Sequence, residues 1–233
     1  SAAVLMLTPL LRALPADSQL PVVVAQAFGE VAPASLSDAP ARTGPLLVGD
    51  LLGGDDARVE PTTHTFGDGL TLELYRRQDI EAVLPVVIMV HGGSWQHGDA
   101  SQLPAVNHYL ARRGYGVVVI NYRKAPEHPF PAAVDDLRAA IKWVRQNAPD
   151  YGLDATRIVL HGRSAGAQIV LVAAYADRDP SVRGVVALYG PTDMNWSWKN
   201  PAHPLVHDSH GNLRAYLGGA PEAFKPSARA YEL

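Results

Sequence analysis

Two patterns of apolar residues alternate through the middle of the chain. Continuous apolar runs at Pro85–His91 and Gly116–Asn121 are typical of strands that are buried on both faces of a sheet. Another strand is predicted at Val182–Leu188. A shorter run predicts a further strand at Arg157–His161. The intervening segments predict helices over three ranges: Leu103–Arg113, Pro131–Asn147 and Ala165–Ala176. This alternation indicates a parallel sheet with crossover helices.

An antiparallel hairpin is predicted before this alternation begins. The segments Ala57–Phe66 and Leu70–Arg77 flank the turn sequence Gly67-Asp68-Gly69. Further along, Asp99 and Ser101 are candidate N-caps for the first helix.

The regular pattern ends at Tyr189. The residues that follow are rich in Trp, His, Pro and Asn, and they predict one short helix near Asn212–Leu217 but no further strand. The expected fold class is therefore α/β, with a mostly parallel sheet flanked by helices, an N-terminal antiparallel hairpin, and the last strands of the sheet missing.

The first residues of the chain differ from the rest in composition. Residues 33–56 are rich in Pro, Gly, Ser and Asp, which is typical of a linker. Residues 1–56 are predicted to be an apolar cap and linker, and residues 57–233 a single α/β domain. The alternative is that the opening residues are the tail of an upstream membrane or leader segment. Their own apolar runs fall short of the roughly 20 residues that span a bilayer, so membrane association is expected only through a segment outside this chain.

The overall composition narrows the class of protein. Apolar residues make up 47% of the 233 and charged residues 18%, as in globular proteins. The net charge of −3, without a basic stripe, argues against a nucleic-acid partner. The absence of cysteine excludes disulfides, thiolate metal sites and cysteine nucleophiles. The absence of cysteine does not decide whether the protein is cytoplasmic, membrane-associated or exported.

A candidate nucleophile lies between a predicted strand and a predicted helix. Gly162-Arg163-Ser164-Ala165-Gly166 has the pattern G-x-S-x-G, in which a sharp turn presents the serine hydroxyl at the carboxyl end of the sheet. The flanking glycines allow strand and helix to approach closely. We expect Ser164 to be a nucleophile, the alternative being a tight turn with an inert serine.

A candidate oxyanion hole follows the first buried strand, at His91-Gly92-Gly93-Ser94-Trp95. Attack on a carbonyl creates an oxyanion, which needs preset N–H donors. We expect these to be the backbone N–H groups of Gly92, Gly93 and Ala165. His91 is expected to support the loop, because it precedes the serine and the usual chain order is serine, acid, histidine.

Three motifs together resemble a known family. The sequences HGGSW at 91–95, NYRKAPEHPFPAAVDD at 121–136 and HGRSAGA at 161–167 resemble the α/β-hydrolase esterases of the hormone-sensitive-lipase type. Trp95 favours a neighbouring branch that includes aryl formamidases and small acetyl or feruloyl esterases. The sequence departs from the family pattern at Ser94, where many relatives have Gly, and at Arg163, where an acidic residue or His is usual.

The resemblance implies an activity and a substrate class. It implies a serine carboxylesterase that hydrolyses small-molecule esters, short-chain or aryl, through an acyl-enzyme intermediate and without a cofactor. Two alternatives remain open: an arylformamidase that cleaves an N-formyl amide, and a non-catalytic α/β-hydrolase module that binds a ligand.

The acid and the base of such an enzyme are harder to place. The family carries them after strands that this sequence does not show, so we expect the chain to end before both. The alternative is an internal triad of Ser164 with Asp193 and either His207 or His210.

The histidine-rich segment allows two further interpretations. A metal site is conceivable from ligand types alone, at His203, His207, Asp208 and His210. No rigid element holds these residues in the predicted pattern, so no metal is expected. We expect a loop over the substrate pocket, carrying Trp196 and Trp198.

Overall fold

Six strands form one sheet in the order β1-β2-β4-β3-β5-β6. The computed structural model describes residues 58–205 and 207–221, and the predicted cap and linker over residues 1–56 lie outside them. The strands are β1 Thr62–Phe66, β2 Leu70–Tyr75, β3 Leu84–Val90, β4 Gly116–Ile120, β5 Leu153–Arg163 and β6 Val182–Leu188. The helices are α1 Pro104–Arg112, α2 Ala132–Asn147, α3 Ala165–Asp177, α4 Met194–Lys199 and α5 Ser209–Leu217.

The strand directions agree with the predicted antiparallel hairpin and parallel sheet. The hairpin strands β1 and β2 pair antiparallel, and β2 pairs antiparallel with β4. The other pairs, β4 with β3, β3 with β5 and β5 with β6, are parallel. The sheet is therefore mostly parallel, with the antiparallel hairpin at one side.

Helices cover both faces of the sheet, which explains the continuous apolar runs. In β3, Val86, Ile88 and Val90 belong to the larger apolar cluster with α2 and α3, whereas Val87 and Met89 belong to a second cluster with α1. Alternate residues of a strand point to opposite faces, so every position of a doubly covered strand must be apolar.

Three helical details differ from the sequence prediction. Neither Asp99 nor Ser101 caps α1, whose N-cap residue is Leu103. The carboxylate of Asp99 accepts hydrogen bonds from the backbone and side chain of Ser101, and the helix begins later, at Pro104. Helix α4 lies where a loop was expected, because Asp193 caps it by accepting from the N–H of Trp196. Helix α5 begins at Ser209, slightly before the predicted start near Asn212.

The pairing of β3 with β5 brings the two glycine motifs together. Val90 lies opposite Gly162 in this parallel pair, so the strands end side by side at the carboxyl edge of the sheet. His91 and Gly92 follow β3, and Ser164 follows β5. The position of the candidate site is therefore set by the sheet register.

Strand β6 lies at the sheet edge within the described part of the chain. Its apolar side chains Val186 and Leu188 are 41% and 39% exposed. No helix in residues 58–205 and 207–221 is long and apolar enough to cross a membrane.

Candidate active site

Ser164 is the single residue between the end of β5 and the start of α3. Its backbone angles, φ 52° and ψ −119°, lie in a region that costs a residue with a side chain about 1–3 kcal/mol. Backbone hydrogen bonds hold this conformation. The N–H of Ser164 donates to the carbonyl of Leu188 at 2.9 Å, and its own carbonyl accepts from the N–H of Ala167 at 3.0 Å. The strand–turn–helix context expected around Ser164 is therefore present.

The glycines on either side of Ser164 allow the sharp turn. A Cβ atom at Gly162 would lie 2.2 Å from the carbonyl oxygen of Gly166. A Cβ atom at Gly166 would lie 2.3 Å from the carbonyl oxygen of Val90. Neither separation is sterically allowed, so both positions require glycine for the close approach of strand and helix.

The glycine loop after β3 lies directly against Ser164. A Cβ atom at Gly92 would lie 3.3 Å from the Cβ of Ser164. Gly93 has a φ of 124°, and its carbonyl accepts hydrogen bonds from the N–H groups of Gln96 and His97, at 3.0 and 2.9 Å. The loop therefore folds back on itself beside the serine and keeps its backbone close to the position of the hydroxyl.

Ala165, the third expected donor, is the first residue of α3. The first N–H groups of a helix have no partner within the helix, and they carry the positive end of its dipole. Of the residues expected to form the oxyanion hole, the structure thus places Gly92 beside Ser164, Gly93 next to Gly92 in the same loop, and Ala165 at a helix N-terminus.

His91 supports this loop from a buried position. Its side chain is completely buried, with Nδ1 2.6 Å from the carbonyl oxygen of Gly92 and Nε2 2.9 Å from Nζ of Lys124. Burial, and secondarily the charge of Lys124, lowers the pKa of His91 to about 4. The imidazole is therefore neutral at pH 7, and both of its nitrogens are occupied by contacts that hold the loop.

Trp95 connects the glycine loop to two helices. Its indole N–H donates to Oε1 of Gln168 on α3 at 3.1 Å, and its ring stacks on Tyr216 of α5 with centroids 4.3 Å apart. The hydroxyl of Tyr216 donates to the same oxygen of Gln168 at 2.9 Å. Beside this cluster, Gln96 donates to Asn212 of α5 at 2.6 Å. Helix α5 is therefore fastened to the loop next to Ser164.

A buried cation precedes the serine. Arg163 is 8% exposed; its Nη2 lies 3.4 Å from the carbonyl oxygen of Gln102, and its Nε has no hydrogen-bond partner among the described residues. Burial first, and then the charge of Arg163, lowers the pKa of His161. The unusual residue at this motif position therefore makes the surroundings of the turn at Ser164 more positive.

The candidate acid and bases have other partners in the structure. The carboxylate of Asp193 is exposed and caps α4. His210 has Nε2 2.8 Å from the carbonyl oxygen of Trp198, and His207 has Nε2 3.2 Å from the side-chain nitrogen of Asn212. In the described part of the chain, no hydrogen bond joins these residues to Ser164 or to one another.

The histidine-rich segment shows no metal-binding arrangement. Among residues 58–205 and 207–221, no group of three or more His, Asp or Glu side chains is placed to hold a metal ion. Asp208, one of the candidate ligands, instead caps α5 by accepting from the N–H of Gly211 at 2.8 Å. The neighbouring Trp198 packs on His210, with ring centroids 4.3 Å apart.

Two residues that support the site were not singled out from the sequence. Gln168 lies one helical turn after Ser164, the N-cap of α3, and its backbone N–H donates to the carbonyl of Ser164 at 3.3 Å. That spacing could have pointed to Gln168. Lys124 lies within the second motif, at a position that the family pattern leaves variable, so no motif signal pointed to it.

The chain is similar in sequence to curated esterases. Carboxylesterase NlhH of Mycobacterium tuberculosis is 39% identical over 145 residues, which are 60% of this chain and 45% of the relative. Esterase LipC of the same organism is 35% identical over 147 residues, 57% of this chain and 36% of the relative. The chain thus spans less than half the length of these two curated relatives.

The chain is also similar to solved structures of esterases. An esterase from Pyrobaculum calidifontis has a TM-score of 0.62 and 31% identity, and the similarity covers 73% of this chain and 60% of that one. The thermophilic carboxylesterase EstE1 from a metagenomic library has a TM-score of 0.58 and 27% identity, over 72% of this chain and 62% of that one. The expected α/β-hydrolase fold and the resemblance to its esterases are confirmed. Since the profile of the BD-FAE family matches residues 72–230, the chain belongs to the BD-FAE family.

Proposed function

We propose that this chain carries the nucleophile and the oxyanion hole of a serine carboxylesterase. The observation that carries the proposal is the contact between the two motifs. The strained Ser164 lies between a helix N-terminus and a glycine loop, and a Cβ atom at Gly92 would lie 3.3 Å from the Cβ of Ser164. A ligand-binding module does not require a strained serine beside open backbone donors. The relatives named carboxylesterase and esterase support the same conclusion.

The proposed reaction begins with attack by Ser164 Oγ on the carbonyl carbon of an ester. A bond forms between Oγ and this carbon, and the carbonyl oxygen becomes an oxyanion held by the N–H groups of Gly92, Gly93 and Ala165. Collapse of this intermediate breaks the ester C–O bond and releases the alcohol with a proton. Water then attacks the acyl-enzyme by the same route and releases the acid.

The proposal assigns neither the base nor the acid. A base must take the proton of Ser164, because a serine hydroxyl is otherwise a weak nucleophile. Asp193 and His210 have structural partners, at a helix N-terminus and at a backbone carbonyl. The substrate class follows the relatives: small carboxylic esters, with short-chain and aryl esters as the first to test.

Fluorophosphonate labelling of the chain, read by intact mass, tests the nucleophile, with Ser164→Ala as control. An adduct in the wild type that is absent from the variant would identify Ser164 as an activated nucleophile. A wild-type adduct at another residue would contradict the assignment of Ser164. Labelling would also show that a base lies within these 233 residues, and Asp193→Asn, His207→Gln and His210→Gln would then locate the acid and the base.

The substrate class is tested separately. Hydrolysis of p-nitrophenyl acetate, butyrate and octanoate is compared with that of an N-formyl arylamine. We expect turnover of the short esters to exceed that of the long ester and of the formamide. A preference for the formamide would instead indicate an arylformamidase.

A further inference from the structure

The imidazole of His91 lies between a group that can only accept and a group that can only donate. Nδ1 lies 2.6 Å from the carbonyl oxygen of Gly92, and a carbonyl accepts. Nε2 lies 2.9 Å from Nζ of Lys124, and an ammonium donates. Both contacts are satisfied together in one state of the ring, the neutral form with its hydrogen on Nδ1.

We propose that Lys124 is a positioning residue that donates to Nε2 of His91, fixes the Nδ1–H tautomer and so holds the carbonyl of Gly92 in place. The proposal rests on the proposed function for its effect on turnover. Its structural part, the tautomer of His91, is independent of that function.

Lys124 is itself held in place on the ring of Tyr122. Its Nζ lies 3.6 Å from the ring centroid and donates to the backbone carbonyl of Tyr122 at 2.6 Å. On the same aromatic ring, His91 stacks with centroids 4.3 Å apart and planes within 15°. The aromatic ring thus orients both the ammonium and the imidazole, which leaves little freedom in the hydrogen bond between them.

Charges around the pair agree with this assignment. Burial lowers the pKa of Lys124 to about 8, while Asp136 and Asp99 act in the opposite direction. For His91, burial and the Lys124 charge are the main causes of the lowered pKa; Asp99 opposes them, and Arg163 adds to them. At pH 7 the lysine is therefore charged and the histidine neutral, as the two hydrogen bonds require.

The consequence for the site comes from peptide geometry. The carbonyl of Gly92 and the N–H of Gly93 belong to one peptide unit, and in a planar trans peptide they point in opposite directions. A Gly92 carbonyl held toward His91 therefore directs the N–H of Gly93 away from His91. This N–H is one of the proposed oxyanion donors, so Lys124 acts on it through His91 without contacting substrate.

The direct test is long-range ¹H–¹⁵N NMR of the ¹⁵N-histidine-labelled chain at pH 7, with the His91 signal identified from its loss in His91→Gln. We expect the Nδ1–H tautomer in the wild type. In Lys124→Met we expect the ring to move toward the Nε2–H form or a mixture. Lys142→Met is the matched control, since Lys142 is an exposed lysine on α2, and it should leave the signal unchanged. An Nε2–H tautomer in the wild type, or an unchanged His91 signal in Lys124→Met, overturns the proposal.

Kinetics supply the second readout. Removal of an oxyanion donor lowers kcat by about 10²–10³-fold, so a loosened donor is expected to cost about tenfold in kcat, with KM unchanged. A rise in KM with kcat unchanged would overturn the role in positioning the donor. If Ser164 of the wild type is not labelled by fluorophosphonate, the proposed function fails for this chain, while the NMR result still decides the role of Lys124.

Discussion

The variant Gly166→Ala distinguishes two effects on stability: close packing at the turn beside Ser164, and the helix propensity of the substituted residue. Gly166 is the second residue of α3, and alanine normally stabilises a helix relative to glycine, by up to about 1 kcal/mol. The structure predicts the opposite sign. An added Cβ would lie 2.3 Å from the carbonyl oxygen of Val90 and 2.5 Å from that of His91.

The expected size of the effect follows from where those oxygens lie. Val90 is the last residue of β3, which is paired on both sides with β4 and β5, so its carbonyl cannot retreat without disturbing the sheet. The start of α3 must instead move by roughly 1 Å. Overpacking of this kind costs about 1–3 kcal/mol, which outweighs the gain in propensity. A shift of about 1 Å beside a reacting group can also reduce turnover about 100-fold.

Urea denaturation of the wild type, Gly166→Ala and Gly184→Ala measures the effect. Gly184 in β6 is the matched control, because an added Cβ there meets nothing closer than 4.0 Å. We expect Gly166→Ala to lose about 2 kcal/mol of unfolding free energy and Gly184→Ala to change by less than about 0.5 kcal/mol. A Gly166→Ala chain as stable as the wild type would refute the reasoning from close approach.

Three further predictions concern the same region. Ser164→Gly should be more stable than Ser164→Ala by about 1 kcal/mol in urea, because glycine adopts φ 52° with less strain; equal stabilities would contradict this. The pKa of His91 is lower in the folded chain than in the unfolded chain, so on acidification the unfolded chain takes up the proton first. Between pH 6.5 and pH 4 the wild type should therefore lose about 3 kcal/mol more unfolding free energy than His91→Gln. Stability curves that run parallel with pH would contradict this prediction. Asp136→Asn should cost about 2 kcal/mol in thermal or urea unfolding, because both oxygens of the buried carboxylate accept hydrogen bonds from the Arg123 guanidinium. The change Asp135→Asn, at the exposed neighbouring position, should cost less than about 0.5 kcal/mol.

The strands of the sheet could be predicted where a continuous apolar run indicates that a strand is buried on both faces. β3 and β4 were found within one or two residues, because a doubly covered strand leaves no polar position. β6 was found as well, although its residues are exposed or half-buried in the described structure. The start of β5 was missed. Its first residues, Leu153 and Asp154, pair with β3 across a register irregularity, so they carry no continuous apolar signal. Helix α4 was missed for a different reason: six residues are too few to show helical periodicity.

The glycine residues of the candidate site were predictable because the backbone geometry at these positions requires glycine. Gly92, Gly162 and Gly166 are glycine because another chain segment passes within contact distance, and such a need is visible as a residue type at a fixed spacing. The acid and base could not be placed in this way, because a histidine or aspartate in an irregular segment gives no comparable signal. Asp193 illustrates the ambiguity: the same side chain suits a triad or an N-cap, and the structure shows it as an N-cap.

The supporting residues make contacts between distant positions of the chain, and apart from the spacing of Gln168 from Ser164 no sequence pattern pointed to them. Lys124 contacts His91 across 33 positions, Gln168 contacts Trp95 across 73, and Gln96 contacts Asn212 across 116. A polar residue that has a distant partner looks the same in sequence as one that faces water, so these contacts leave no local pattern. They nevertheless join the glycine loop, the nucleophile helix and the segment after Tyr189. Helix α5 is held both by an apolar stripe, formed by Leu213, Tyr216 and Leu217, and by polar and aromatic contacts with distant parts of the chain.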